Sequence, residues 1–170
     1  MNLTACSNNL TWQEEVKLLD GRVIQVTQKR RYEGAYNGQN VGNIPRESWV
    51  TLKLPEFGDQ EIVWHENLDT QVLNIYEGKL YIVGFPHTER EFRQYGSPTP
   101  SYVGHRYDNG RWVRIPFNEI PIAIYDSNMW FDNEPEKGSK FVSLADKARQ
   151  MKDVSYSKEM KRIDPAKTIH

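Results

Sequence analysis

The clearest β-hairpin signal in the chain is VLNIYEGKLYIV, at residues 72–83. Branched and aromatic residues fill both runs, and Glu77-Gly78 stands between them as a two-residue turn, where glycine accepts the positive φ that such a turn needs. Similar β-rich runs surround Asp20-Gly21 and Asn109-Gly110. Three hairpins of this kind predict a mainly antiparallel β fold.

Further strands are expected at residues 49–54, where apolar and polar residues alternate, and at residues 61–65. Together these segments predict an antiparallel, hairpin-rich sheet, sandwich or partial barrel of about eight strands. Two stretches interrupt the pattern. Residues 33–45 are rich in Gly and Asn and predict a long irregular loop, and residues 85–100 carry three prolines and predict a short helix or a partner-facing excursion.

The carboxy-terminal part has a different character. Residues 122–125 predict a last strand or a short helix, and residues 143–146 (Ser-Leu-Ala-Asp) resemble a capping box that begins a helix with Leu144, Ala148 and Met151 on one face. We therefore expect one domain, with a tether over 1–11, a β-rich body over 12–136 and a basic helical segment over 137–170 packed on the body.

Charge is distributed unevenly along the 170 residues. Residues 137–170 contain nine Lys and Arg against four Asp and Glu, a net charge of +5. Since the whole chain has a net charge of −1, residues 1–136 have a net charge of −6. A net charge near zero argues against general nucleic-acid binding, which needs a basic surface. The acidic body instead favours a partner that offers basic groups.

The amino-terminal residues Leu3-Thr4-Ala5-Cys6 resemble the lipobox of bacterial lipoproteins. The resemblance implies that Cys6 carries a lipid anchor, and Ser7 after it implies an outer-membrane lipoprotein that faces the periplasm. Only five residues precede Cys6, fewer than the apolar stretch of a secretory signal needs, so a lipoprotein would have more signal residues upstream. Cys6 is the only cysteine, which excludes a disulfide within the chain. The alternative is a free thiol in an amino-terminal tail.

We expect no metal, cofactor or catalytic residue. His65 and Glu66 are adjacent in a predicted strand and therefore point to opposite faces, which prevents both from binding one metal ion. His87 and His105 have no partner that the sequence identifies, and no Gly-x-Ser-x-Gly motif marks a nucleophile. The sequence thus predicts a binding protein rather than an enzyme.

In overall character, through its lipobox, size and β-rich body, the chain resembles small proteobacterial lipoproteins encoded near type VI secretion effectors. The resemblance implies an immunity-type inhibitor that binds a secreted toxin. The alternatives are a structural or assembly lipoprotein of the envelope, and a carbohydrate-binding module or undetected hydrolase with a platform of exposed aromatic rings. Tyr and Arg are frequent interface anchors, and residues 85–100 have no obvious core role, so Glu89, Arg90, Arg93 and Tyr95 are the candidate partner-binding residues.

Overall fold

The computed structural model describes residues 8–36, 41–131, 135 and 139–168. The lipobox-like residues and Cys6 lie outside this range, so lipidation of Cys6 stays a prediction. Within the described residues, no helix is long and apolar enough to cross a bilayer.

Nine strands and three short helices form the described part of the chain. They are β1 (Asn8–Lys17), β2 (Val23–Tyr36), β3 (Val41–Leu52), β4 (Ile62–Glu66), β5 (Asp69–Tyr76), β6 (Lys79–Phe85), α1 (Glu89–Gln94), β7 (Val103–Asp108), β8 (Arg111–Ile115), β9 (Phe141–Val142), α2 (Leu144–Lys152) and α3 (Lys158–Lys161). Short 3₁₀ turns lie at Pro55–Phe57, Phe117–Glu119 and Ile122–Ile124.

The strands form two sheets. Sheet A has the order β4-β3-β2-β1-β9 and sheet B the order β5-β6-β7-β8, and each pair is antiparallel except β1 with β9. Neither described sheet closes into a barrel. The predicted mainly β, hairpin-rich fold with a carboxy-terminal helix is therefore confirmed, with nine strands where about eight were expected.

The turn chemistry confirms two of the three predicted two-residue turns. Glu77 and Gly78 both have positive φ, at 49° and 73°, as do Asn109 and Gly110, at 49° and 82°. The prediction is wrong in detail for Asp20-Gly21, where the amide of Leu18 donates to the carbonyl of Arg22 across a three-residue loop. Only the glycine of that loop has positive φ, which is the usual form of a three-residue hairpin connection.

Apolar side chains of the two sheets meet in one core. Sheet B is also covered on its outer face, by the 3₁₀ turns at Phe117–Glu119 and Ile122–Ile124 and by the segment that follows α3, so β5 and β6 are buried on both faces. This explains why residues 72–83 form a nearly continuous apolar run. The core between the sheets includes Val16, Val26, Val50, Trp64, Leu73, Leu80, Ile82 and Val103, and the outer cluster includes Val72, Tyr81, Val83, Ile124 and Ile163.

The prediction of an irregular loop at residues 33–45 is wrong for residues 33–36 and 41–45, which are in strands, and its residues 37–40 lie outside the described residues. Strand β2 continues to Tyr36 and β3 begins at Val41, and the two pair through Glu33 with Ile44 and onward to the ends of the ribbon. The backbone ladder pairs these residues without the apolar alternation that marks a half-buried strand, so the sequence pattern did not indicate them. Strand β1 likewise begins at Asn8, inside the range expected to be tether.

Helix α2 begins at the predicted capping box. The amide of Asp146 donates to Ser143 Oγ at 3.2 Å, and the amide of Ser143 donates to Asp146 Oδ2 at 2.8 Å. The predicted face of Leu144, Ala148 and Met151 borders one cavity against the body, but the buried residue of this helix is Lys147, and Ala148 is exposed. The Lys147 ammonium donates to two backbone carbonyls, of Glu15 and Asn128, at 2.6 Å each.

Buried polar side chains connect the two sheets. Gln28 of sheet A donates to Glu14 at 3.0 Å and accepts at 2.9 Å from the hydroxyl of Thr70 in sheet B. Beside them, Arg30 forms an ion pair of 3.3 Å with Asp69, which also binds His87. This network gives the sheets a fixed relative position, since each partner would otherwise be a buried polar group without a hydrogen bond.

Candidate functional site

A β-bulge in β3 creates the most polar cleft of the described surface. Arg31 of β2 pairs with Glu47, but the next residue, Tyr32, pairs with Pro45, so Arg46 is the extra residue of the bulge. A bulge turns a side chain away from the alternation of its strand. Here it directs the guanidinium of Arg46 toward α1, where Nη1 donates to Glu91 Oε1 at 2.6 Å.

Glu91 is the buried anchor of this cleft. Its carboxylate is fully buried and accepts hydrogen bonds from Arg46, from the side-chain amide of Asn67 at 3.3 Å and from the hydroxyl of Thr88. Burial by itself raises the pKa of Glu91, but the hydrogen bonds from Thr88 and Arg46 outweigh it and hold the pKa below its usual value. The buried charge therefore fixes α1 against β3.

Two acidic groups on the sheet side continue the network. Glu33 accepts from Arg31 at 2.9 Å and from Arg46 at 3.2 Å, and Glu47 binds Arg31 and also His65 at 3.1 Å. The hydrogen bond from Arg31 is the main cause that lowers the pKa of each of these glutamates. Arg31 and Arg46 thus hold ionised carboxylates at defined positions on the cleft wall.

Glu66 closes the cleft at the end of β4. It accepts from the hydroxyl of Tyr95 at 2.6 Å and lies 3.4 Å from Nε2 of His105. Burial raises the pKa of Glu66, but the hydrogen bonds with His105 and Tyr95 lower it by more. The pKa of Glu66 is therefore below its usual value. The Tyr95 hydroxyl also accepts from the backbone amide of Asn67 at 2.9 Å, and burial raises its pKa.

The resulting cleft has a volume of about 330 Å³. Its lining contains as many arginines as glutamates, and Arg90 and Gln94 of α1 form its outer wall. Arg90 is exposed and forms no ion pair with any described residue, so its charge is free to meet a ligand. The lining residues are Arg31, Glu33, Arg46, Glu47, His65, Glu66, Asn67, Arg90, Gln94 and Tyr95.

The structure separates the four predicted partner-binding residues into two groups. Arg90 and Tyr95 line the cleft, whereas Glu89 and Arg93 pair with each other on the exposed side of α1. The reasoning that residues 85–100 lack a core role is wrong for Tyr95, which is 9% exposed and belongs to the core between the sheets. A partner would meet Tyr95 only at its hydroxyl edge.

The histidines have partners that the sequence did not identify, Asp69 for His87 and Glu66 for His105. His65 lies on the exposed face of β4, and its ring stacks on Trp49 with the centroids 4.3 Å apart. Among the described residues, no group of three or more His, Cys, Asp or Glu side chains could hold a metal ion.

Sequence reasoning missed Arg46 and Glu91, the two residues that organise the cleft. Glu91 stood in a stretch interpreted as irregular, Arg46 directly followed another, and their contact joins positions 45 residues apart. Pro45 beside Arg46 is a signal of a bulge or an edge, since proline within a sheet is confined to such places, but only the pairing of β2 with β3 shows that Arg46 is the extra residue.

In comparisons with known proteins, no protein family, curated protein or solved structure matches the chain.

Proposed function

We propose that this chain is a binding protein that recognises a protein partner through the polar cleft between β3, β4 and α1. The observation that carries the proposal is the contact of Arg46 with the buried Glu91. It fixes the walls of the cleft before any partner arrives, so that little conformational entropy is lost on binding. Charged groups in fixed positions favour recognition of a complementary charged surface over binding of an apolar ligand.

The electrostatics of the body support a partner with basic groups. Residues 1–136 carry a net charge of −6, whereas the three glutamates of the cleft are balanced by three arginines, so the attraction comes from the body as a whole. The negative electrostatic potential of the body increases the rate at which a positively charged partner meets the cleft, and salt screens this attraction. Arg90 adds a free positive charge on the other wall, which would select an acidic group at one point of the partner.

The aromatic residues beside the cleft support protein binding over sugar stacking. Trp49 is flanked on the outer face of sheet A by His65 of β4 and by Lys29 of β2, whose ammonium lies 4.7 Å from the ring centroid. Among the described side chains, Phe141 is the most exposed aromatic residue, and it is only 39% exposed. A carbohydrate-binding platform would need several open rings on one sheet face.

The immunity-type role rests on the sequence resemblance. A lipid at Cys6 would place the body at the periplasmic face of the outer membrane, where the cleft could meet an incoming toxin. A structural or assembly lipoprotein would use the same cleft for an envelope protein. The identity of the bound partner distinguishes these two roles.

The test is a pull-down of the product of the adjacent gene by the full chain with Cys6→Ser, at low and high salt. R90Q and R93Q are a matched pair, because each removes one exposed positive charge from α1 and only Arg90 lines the cleft. We expect R90Q to weaken binding about tenfold and R93Q to change it by less than about twofold. Equal effects, or no binding at low salt, would exclude this cleft as the interface.

A further inference from the structure

A second cavity, of about 220 Å³, lies between sheet B and the carboxy-terminal segment. Its walls include the rings of Phe85 and Phe131, which meet edge to face with centroids 5.5 Å apart. The carboxylates of Asp69 and Glu159 border it. The cavity shares no lining residue with the polar cleft and has a different chemistry, since aromatic rings and carboxylates together favour an organic cation.

Lys167 already places a cation in this cavity. Its ammonium lies 4.2 Å from the centroid of Phe85 and 5.4 Å from that of Tyr102. It forms no ion pair with a described carboxylate. Burial lowers the pKa of Lys167, as expected for an ammonium withdrawn from water, although the charges of Glu159, Asp69 and Asp164 act on it and raise its pKa by a smaller amount.

Backbone hydrogen bonds hold Lys167 in this position. Its amide donates to the carbonyl of Asp164 at 3.0 Å, and its carbonyl accepts from the amide of Ser101 at 2.9 Å. Just before this turn, Ile163 is buried in the outer cluster of sheet B, and its amide donates to Tyr125. The lysine is therefore presented to the rings by a fixed segment, in contrast to a surface side chain that folds back by chance.

We propose that this cavity is a binding site for a primary alkylammonium group and that Lys167 is its internal occupant. The faces of Phe85 and Tyr102 attract the positive charge, Phe131 contacts the alkyl chain, and Glu159 offers an exposed carboxylate with no ion pair among the described residues. The ammonium can come from a free amine or from a lysine side chain of another protein. Either ligand must displace Lys167, which makes the segment 164–168 a competitor for the site.

The first experiment uses the intact wild-type chain. Ring currents should shift the ε-methylene resonance of Lys167 upfield, and F85L, which keeps a large apolar side chain but removes the nearer ring, should reduce the shift to the part that Tyr102 causes. Titration with n-butylammonium chloride should return the resonance toward its free position. A resonance that stays upfield at saturating amine would overturn the displacement.

The second experiment removes the Lys167 side chain from the site. K167A should bind n-butylammonium about tenfold more tightly than wild type, because no internal group competes. K167A/F85L should lose this gain, and n-butanol is the neutral control of the same shape. Binding of n-butanol as tight as that of the amine, or a double variant as tight as K167A, would overturn the proposal.

A third arm distinguishes the two sources of the ammonium. Capped lysine and n-butylammonium are compared on K167A. Tighter binding of the capped lysine assigns the site to a protein side chain, and equal or weaker binding assigns it to free amines. None of these probes requires the partner or the polar cleft, so the outcome is independent of the proposed function.

Discussion

The ammonium of Lys147 on α2 lies 3.7 Å from the carboxylate of Glu14 on β1, and both residues are at most 8% exposed. Burial raises the pKa of Glu14 and lowers the pKa of Lys147, while each group shifts the pKa of the other in the opposite direction. The pair thus connects the basic carboxy-terminal segment to the first strand of the body. Each group in it favours the charged form of the other.

Removing one member of this pair should be strongly destabilising. K147M leaves Glu14 buried without its cation and leaves the carbonyls of Glu15 and Asn128 without a donor, so we expect a loss of about 3–5 kcal/mol in the free energy of unfolding, measured by urea denaturation. K152M, on the exposed side of the same helix, should change it by less than about 0.5 kcal/mol.

The double variant E14Q/K147M checks the mechanism, because it removes both charges and should be more stable than K147M alone. A double variant that is less stable than the single one would show that the pair is not coupled as described.

The sequence predicts the parts of this fold that depend on local chemistry. The turns at Glu77-Gly78 and Asn109-Gly110 follow from two residues each, and the capping box of Ser143 from four. Lys147 could not be predicted as buried, since a lysine on a basic helix is usually exposed, and its partners come from β1 and from residue 128.

The candidate site was predicted only in part, for the same reason. Arg90 and Tyr95 could be selected by residue type, because Arg and Tyr are common at interfaces. Their surroundings depend on contacts that are distant in sequence, such as Glu66 with Tyr95 and Arg46 with Glu91, and on a bulge that Pro45 suggests but whose extra residue only the strand pairing identifies.

Glu66 should make the stability depend on acid pH. Because its pKa is lowered in the folded protein, its ionised form stabilises the fold above the ordinary glutamate pKa, and this stabilisation is lost as the pH falls through the lowered pKa. We expect E66Q to lose about 1–2 kcal/mol at pH 7 and to approach wild type near pH 3.

The measurement for Glu66 is urea unfolding between pH 3 and pH 7. Glu61 is the control, since it is exposed and has no ion pair among the described residues, and E61Q should follow the wild-type curve. A gap between E66Q and wild type that is equal at both ends of the pH range would contradict the assigned role of the Glu66 charge.

Cys6 should be acylated when the gene is expressed in its own host. Metabolic labelling with a palmitate analogue is expected to mark the wild-type protein and to leave C6S unlabelled, because the chain has no other cysteine. Equal labelling of the two proteins would contradict the lipoprotein resemblance, without bearing on the cleft.

The turn at Glu77 offers a change that should stabilise the fold. Glu77 has φ of 49°, a left-handed conformation that costs most residues energy and that asparagine adopts more readily. Asn109 holds the same position, at φ of 49°, in the hairpin of β7 and β8. We therefore expect E77N to add about 0.5–1 kcal/mol and N109E to remove a similar amount, because each exchange affects only the turn.

Thermal unfolding measures both exchanges. For a chain of this size, 1 kcal/mol corresponds to about 2–4 °C in Tm, so E77N and N109E should differ from wild type by shifts of opposite sign of about 1–4 °C. The double variant E77N/N109E should unfold near the wild-type Tm, since the two turns lie in different hairpins and their effects should add. Shifts of the same sign would show that contacts outside the turns, rather than their backbone conformation, determine the effect.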